Sequence, residues 1–282
     1  MNFSENYDAK KTIVSVFIIF FLSLVYLYGV IAIVRVNILF EVFISLLFPI
    51  MCIGFKVDQN FLPRVKQLFY IESIYNILVI LTLVLVLSGM SSLYIALSWG
   101  FVVFFVIQII GFIVIQKKRK SYLGILQSLM GICLMFIWFF HKENTISTID
   151  NQGRFLMWGE DAPLSIQIVY TLWFLNVIFL ESVLLPKLSQ AIVQSSSLLL
   201  CWCSGEFFHA RLLTACHLFM LDGLFGYSKH GWLGSKFCSI PESYYEKFSR
   251  LRPLLKIIMF CGVLATFVLS FFYGLDLKGI LA

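Results

Sequence analysis

Leu93 to Phe140 reads LYIALSWGFVVFFVIQIIGFIVIQKKRKSYLGILQSLMGICLMFIWFF, two long apolar runs separated by four consecutive cations, Lys117-Lys118-Arg119-Lys120. An α-helix needs about 20 apolar residues to cross a hydrocarbon core of about 30 Å. Each run meets that length, and the basic tetrad between them marks a loop that stays in water. Barrel strands would alternate polar and apolar residues; these runs do not, so they predict helices.

Outward from this hairpin the same signature recurs at Ile13–Val34, Gln67–Leu87, Leu164–Leu185 and Leu254–Tyr273. A seventh run, Val36–Phe55, follows the first with almost no loop and contains Pro49; it is either a full span or a re-entrant segment. Leu188–Cys203 and Phe207–Phe225 form either two further spans turning at Ser204-Gly205-Glu206 or amphipathic helices along the inner leaflet. The apolar stretches Leu198–Cys203 and Leu218–Leu221 favour the hairpin. The expectation is an all-α, polytopic transmembrane bundle of seven spans, up to nine. It forms a single domain over residues 1–282, with a basic cytoplasmic loop at about 226–253.

Composition agrees. Of 282 residues, 60% are apolar and 13% charged, with mean hydropathy +0.93. Soluble domains average about 45–50% apolar and about 25% charged. Lys10 and Lys11 resemble the start of a signal peptide, but the run behind them is longer than a signal core and no small-x-small site ends it, so it reads as a retained anchor.

Charge sets the orientation. If the Lys117–Lys120 loop is cytoplasmic, the N-terminus is too, and 17 of the 21 Lys and Arg residues lie inside. Only Arg35, Lys142, Arg154 and Lys278 fall outside. The reading places the chain in a membrane with anionic inner-leaflet lipids, the inner membrane of a bacterium. Membrane-protein partners or self-association are compatible with it, and nucleic acid is not expected.

Three carboxylates lie within apolar runs, Glu41, Glu72 and Glu181, where an ionisable group costs about 2.5–3.5 kcal/mol on insertion scales. Glu72 and Asn76 share a helix face at i, i+4, and Asn176 with Glu181 forms a similar polar pair. These five residues are the candidate intramembrane polar path; the bland alternative is snorkelling or pairing with nearby amides. Gly124 and Ser128, with Gly131 nearby, form a small-xxx-small stripe suited to close helix packing.

Cys201, Cys203, His209, Cys216, His217 and Cys238 cluster late in the chain, but no C-x-x-C or H-x-x-x-H spacing supports a metal. His209 and His217 lie eight apart on nearly one helical face, a weak basis for haem. Nucleotide, hydrolase and zinc-protease motifs are missing. Asp222-Gly223 lacks the Ala-Arg and later aspartates of a CDP-alcohol phosphotransferase. No catalytic residue, cofactor or metal ligand is assigned.

Lys229, Lys236, Lys247, Arg250, Arg252 and Lys256 form a basic segment interleaved with Tyr244, Tyr245 and Phe248, read as a docking surface for a partner or for lipid. Here Leu221-Asp222-Gly223-Leu224, Glu242-Ser243, Tyr245 and Leu254 around Arg252-Pro253 resemble the cytoplasmic stretch of integrating conjugative element membrane proteins, found in gene sets for conjugative type IV secretion. That family carries an arginine-rich run after its Asp-Gly-Leu, whereas Phe225–Trp232 holds one lysine and one histidine. It also has a further span after the counterpart of the final one here. The resemblance implies a non-enzymatic part of a bacterial envelope machine. Two other classes compete: a small-solute or ion transporter using the intramembrane carboxylates, and a lipid-modifying enzyme built on Glu72, Glu181 and His209.

Overall fold

The computed structural model describes residues 9–37, 39–55, 63–141, 148–149, 155–156, 162–181, 188–225 and 242–277. The helices are α1 (Ala9–Val36), α2 (Leu39–Val42), α3 (Phe48–Phe55), α4 (Pro63–Leu87), α5 (Ser91–Lys118), α6 (Tyr122–His141), α7 (Leu164–Leu175), α8 (Leu188–Ser204), α9 (Phe207–Phe225) and α10 (Glu242–Tyr273). Two π segments interrupt this order, Phe43–Leu47 between α2 and α3 and Asn176–Glu181 after α7. In the α6–α7 connection, Thr148–Ile149 (β1) pairs antiparallel with Phe155–Leu156 (β2).

Among the described residues six helices are long and apolar enough to cross a membrane: Val16–Val36, Phe69–Leu87, Ile95–Lys118, Tyr122–Phe140, Leu164–Glu181 and Arg250–Tyr273. They match the six clear runs of the sequence. The expected seventh, Val36–Phe55, is broken at both ends of its logic. Asn37 starts a new helix, its Oδ1 accepting the Leu39 N–H at 2.9 Å. Further on, Pro49 has no N–H to give, and the backbone opens into a π turn in which Phe48 N–H bonds the Phe43 carbonyl. The apolar stretch Leu39–Cys52 is shorter than the six.

Residues 204–206 do form the expected turn between α8 and α9. Ser204 Oγ donates to the Cys201 carbonyl at 2.8 Å and accepts the Glu206 N–H at 3.0 Å. The last helix departs from the expected basic loop at 226–253. Residues 226–241 lie outside the described set, but α10 begins at Glu242 and runs through Pro253 without a break. A proline removes one bond from the ladder and crowds the carbonyl four residues before it, yet the helix continues to Tyr273.

The chain packs as two compact units. Unit 1 comprises Met1–Asn76, Leu185–Leu200 and Ala210–Arg250; unit 2 comprises Ile77–Leu184, Cys201–His209 and Leu251–Ala282. In unit 1, Ile19 and Leu27 of α1 pack with Ile192, Val193 and Leu218 of α8 and α9. Several polar groups inside that unit find partners. Arg211 donates to Ser197 Oγ at 2.7 Å and Gln194 Oε1 at 2.6 Å. His217 Nε2 lies 2.6 Å from the Ile44 carbonyl, the group whose next π-turn donor would have been Pro49. A carbonyl only accepts, so Nε2 carries the proton and Nδ1 accepts from Tyr26 O–H at 2.7 Å.

Unit 2 is built on α5, α6 and α7, with the apolar part of α10 against α7. A Cβ at Gly262 would stand 2.9 Å from Leu172 Cδ1, so α10 approaches closely there. Tyr170 is ringed by Trp173, Phe174, Phe207 and Phe208. In both units the surface is apolar while amides and hydroxyls lie within: Phe17, Phe21 and Phe272 are exposed, Gln116, Gln127 and Gln194 buried. That inversion of the soluble pattern is what a lipid solvent selects.

Candidate functional site

The site of unit 2 begins with two turns of the same type. At the end of α4, Met90 N–H bonds the Leu85 carbonyl and Gly89 N–H the Val86 carbonyl, with Gly89 at φ +68°. At the end of α5, Ser121 N–H bonds the Gln116 carbonyl and Lys120 N–H the Lys117 carbonyl, with Lys120 at φ +55°. Both are Schellman caps, the second with a lysine where glycine is the usual choice. This second cap turns the chain sharply and delivers Gln116, Arg119 and Ser121 to the end of α7.

There the π segment changes the azimuth of the chain. On an α-helix residues five apart diverge by about 140°, so Asn176 and Glu181 would face different neighbours. The wider π turn brings them together, with Asn176 Nδ2 3.3 Å from Glu181 Oε1. Glu181 is 2% exposed. Its Oε2 accepts from Gln116 Nε2 at 3.0 Å, and its Oε1 accepts from Ser121 O–H. Lys256 of α10 completes the set, with Nζ 3.8 Å from Oε1 and 3.2 Å from Ser121 Oγ.

Backbone carbonyls at the π end are satisfied too. Arg252 Nε donates to the Leu180 carbonyl and Arg119 to the Glu181 carbonyl, two consecutive groups of the π segment. Cations at a helix C-terminus also offset its partial negative charge. Behind the carboxylate, Ser128 Oγ donates to Gln116 Oε1 at 3.0 Å and accepts from Trp173 Nε1 at 2.8 Å. Asn176 Nδ2 donates to Gln127 Oε1 at 2.8 Å, leaving Gln127 Nε2 and Asn176 Oδ1 without hydrogen-bond partners.

Gly124 makes room for all of this. A Cβ there would overlap Glu181 Oε1 and stand 2.8 Å from Gln116 Nε2. The small-xxx-small stripe thus holds a carboxylate as well as letting helices approach. Gln127 and Ser128 also line a cavity of ≈ 20 Å³, otherwise walled by Phe105, Tyr170, Trp173, Phe208 and aliphatic side chains. It has room for about one water.

The other residues singled out by sequence fall elsewhere. Glu72 and Asn76 belong to unit 1. Asn76 Nδ2 donates to the backbone carbonyl of Glu72 at 2.8 Å, and the charge of Arg211 reaches the Glu72 carboxylate. Glu41 is buried in α2, its carbonyl accepting from Ser45. Lys229 and Lys236 lie outside the described residues, as does the side chain of Lys247. Arg250 is exposed, whereas Arg252 and Lys256, read as docking cations, make the contacts just given. His209 pairs with Glu206, Nδ1 to Oε2 at 3.4 Å, and His217 has both ring nitrogens engaged.

No family model matches this chain, and neither a curated protein nor a solved structure does.

Among the described residues no group of three or more His, Cys, Asp and Glu converges as a metal site. Cys52, Cys133, Cys201, Cys203, Cys216 and Cys261 are free thiols. Gln116, Ser121 and Gln127 were not singled out from sequence. The available signal was an amide within an apolar run on each side of the basic tetrad, at positions 116 and 127.

Proposed function

We propose that this multi-span membrane protein is a non-enzymatic scaffold or accessory subunit of a bacterial envelope machine. The observation that supports this reading is the saturation of Glu181, whose carboxylate faces a serine, two amides and a lysine of its own chain. A carboxylate so occupied ties the α5–α6 turn, the end of α7 and α10 into one knot. The knot holds the part of α10 that carries Arg252 and Lys256, next to the exposed Arg250 and Leu251 at the start of its candidate span. This basic start of the span overlaps the stretch resembling integrating conjugative element membrane proteins, and it is the proposed docking element.

In this reading the N-terminus and the Lys117–Lys120 turn face the cytoplasm of a bacterial cell. Alternation of sides then requires α2–α3 to return the chain across the bilayer, and the α8–α9 hairpin raises the count towards nine. The test is affinity purification in mild detergent of the wild type and of Arg250→Glu. A partner recovered with the wild type and lost with the variant supports docking through α10; equal recovery with both removes α10 from the account.

A second reading, transport of a small polar solute or ion, is favoured by the orphaned Gln127 amide at the cavity. The cavity is lined on α6 by Gln127, Ser128, Gly131, Leu134 and Met135, and Gln127 also contacts Asn176 beside Glu181. Uptake of labelled amino acids, sugars or monovalent cations into proteoliposomes, abolished by Glu181→Gln, would establish it; uptake indifferent to that change would exclude the site from transport.

A further inference from the structure

We infer that Arg119, Arg252 and Lys256 form a binding site for the phosphate of an anionic phospholipid headgroup. The two guanidinium groups are anchored on the consecutive carbonyls of Glu181 and Leu180, which holds them side by side although they come from the α5–α6 turn and from α10. Lys256 joins them through Ser121 Oγ at 3.2 Å, and the charges of both arginines act on it. Three cations therefore gather at residues 180–181, where the one carboxylate, Glu181, is 2% exposed. Arg119 is exposed, and Arg252 and Lys256 are partly exposed.

The surroundings match a lipid. Lys117, Lys118 and Lys120 are exposed on the same turn as Arg119. Lys256 is 23% exposed, so its side chain is reachable from the surface. Along α10 the exposed Leu254, Ile257 and Ile258 flank Lys256, and on α6 the exposed Tyr122 follows Ser121 directly. The cations stand where the apolar surface begins, the depth of a headgroup in a bilayer. A guanidinium presents a planar fork to phosphate oxygens and lysine a mobile point charge, and basic pockets between spanning helices favour anionic headgroups. The site goes beyond the scaffold reading and does not depend on it.

The test uses full-length protein in a neutral detergent, with phosphatidylglycerol, phosphatidylcholine or inorganic phosphate added. Phosphatidylglycerol is expected to raise Tm in a saturable manner and to protect Lys256 from acetylation read by mass spectrometry. Phosphatidylcholine should do neither, and Arg252→Gln with Lys256→Gln should remove the Tm response. Protection of Lys256 needs no variant, so the inference survives a double variant that fails to fold. Equal effects of the two lipids, or Lys256 acetylation unchanged by phosphatidylglycerol, would overturn it. A response to inorganic phosphate as large as that to phosphatidylglycerol would assign the site to a free anion and overturn the lipid assignment.

Discussion

Lys256 Nζ lies 3.8 Å from Glu181 Oε1 and closer, at 3.2 Å, to the hydroxyl of Ser121. The carboxylate is thus held mainly by neutral donors, with the lysine as an outer counter-charge. Glu181→Gln keeps the shape but sets an amide N–H among the donors of Gln116 and Asn176. Removing one partner of a buried pair costs about 3–5 kcal/mol when both are fully buried. The partial exposure of Lys256 reduces that to about 1–3 kcal/mol here. Thermal unfolding should show Glu181→Gln to be more damaging than Lys256→Gln, and a double-mutant cycle should show coupling between them; additive losses would mean that the pair is not formed.

Gly124 and Gly131, about two turns apart on α6, make a matched comparison. A Cβ at Gly131 meets only Val169 Cγ1 at 3.8 Å, an ordinary contact, whereas at Gly124 it intrudes on Glu181. Gly131→Ala is expected to be neutral or mildly stabilising. Gly124→Ala should lower stability by about 1–3 kcal/mol, the usual cost of overpacking. Equal melting temperatures for the two variants would show that the carboxylate does not rest on Gly124.

His217 stands in for the N–H that Pro49 lacks. His217→Phe strands the Ile44 carbonyl, at about 1–3 kcal/mol for a buried acceptor left unpaired. Pro49→Ala restores a backbone donor at the right place, so the double variant should lose less than the sum of the two single losses. Simple additivity in urea or thermal unfolding would contradict this substitution of side chain for backbone.

Lys120 occupies the left-handed region at φ +55°, where a side chain costs about 1–2 kcal/mol. Glycine relieves that at about 0.5–1 kcal/mol of added chain entropy. Lys120→Gly should therefore stabilise unit 2 by up to about 1 kcal/mol, seen as a higher Tm. A lower Tm would mean that the lysine charge, not the turn geometry, matters at this position.

Six spanning helices were legible because each is a long apolar run with a physical minimum length. Asn176 and Glu181 were legible as polar residues where lipid penalises them. Their contact was not, because it depends on a π turn, and nothing in the local pattern distinguishes residues 176–181 from α-helix. Gln116, Ser121 and Lys256 join Glu181 from segments far apart in the chain, so only folding shows that they share one carboxylate. Pro49 signalled a break, yet its consequence, an orphaned carbonyl met by a histidine far along the chain, lay beyond any spacing rule. Arg252 and Lys256 were legible as cations near a span, while their inward contacts came from the continuation of α10 through Pro253.

The most direct measurement is the size and composition of the complex recovered in mild detergent from cells carrying tagged wild type or Arg250→Glu. The scaffold account predicts a larger assembly with a defined membrane partner for the wild type and its loss in the variant. A lone monomer or homo-oligomer in both cases would contradict it, and would turn attention to solute uptake through the Glu181 site.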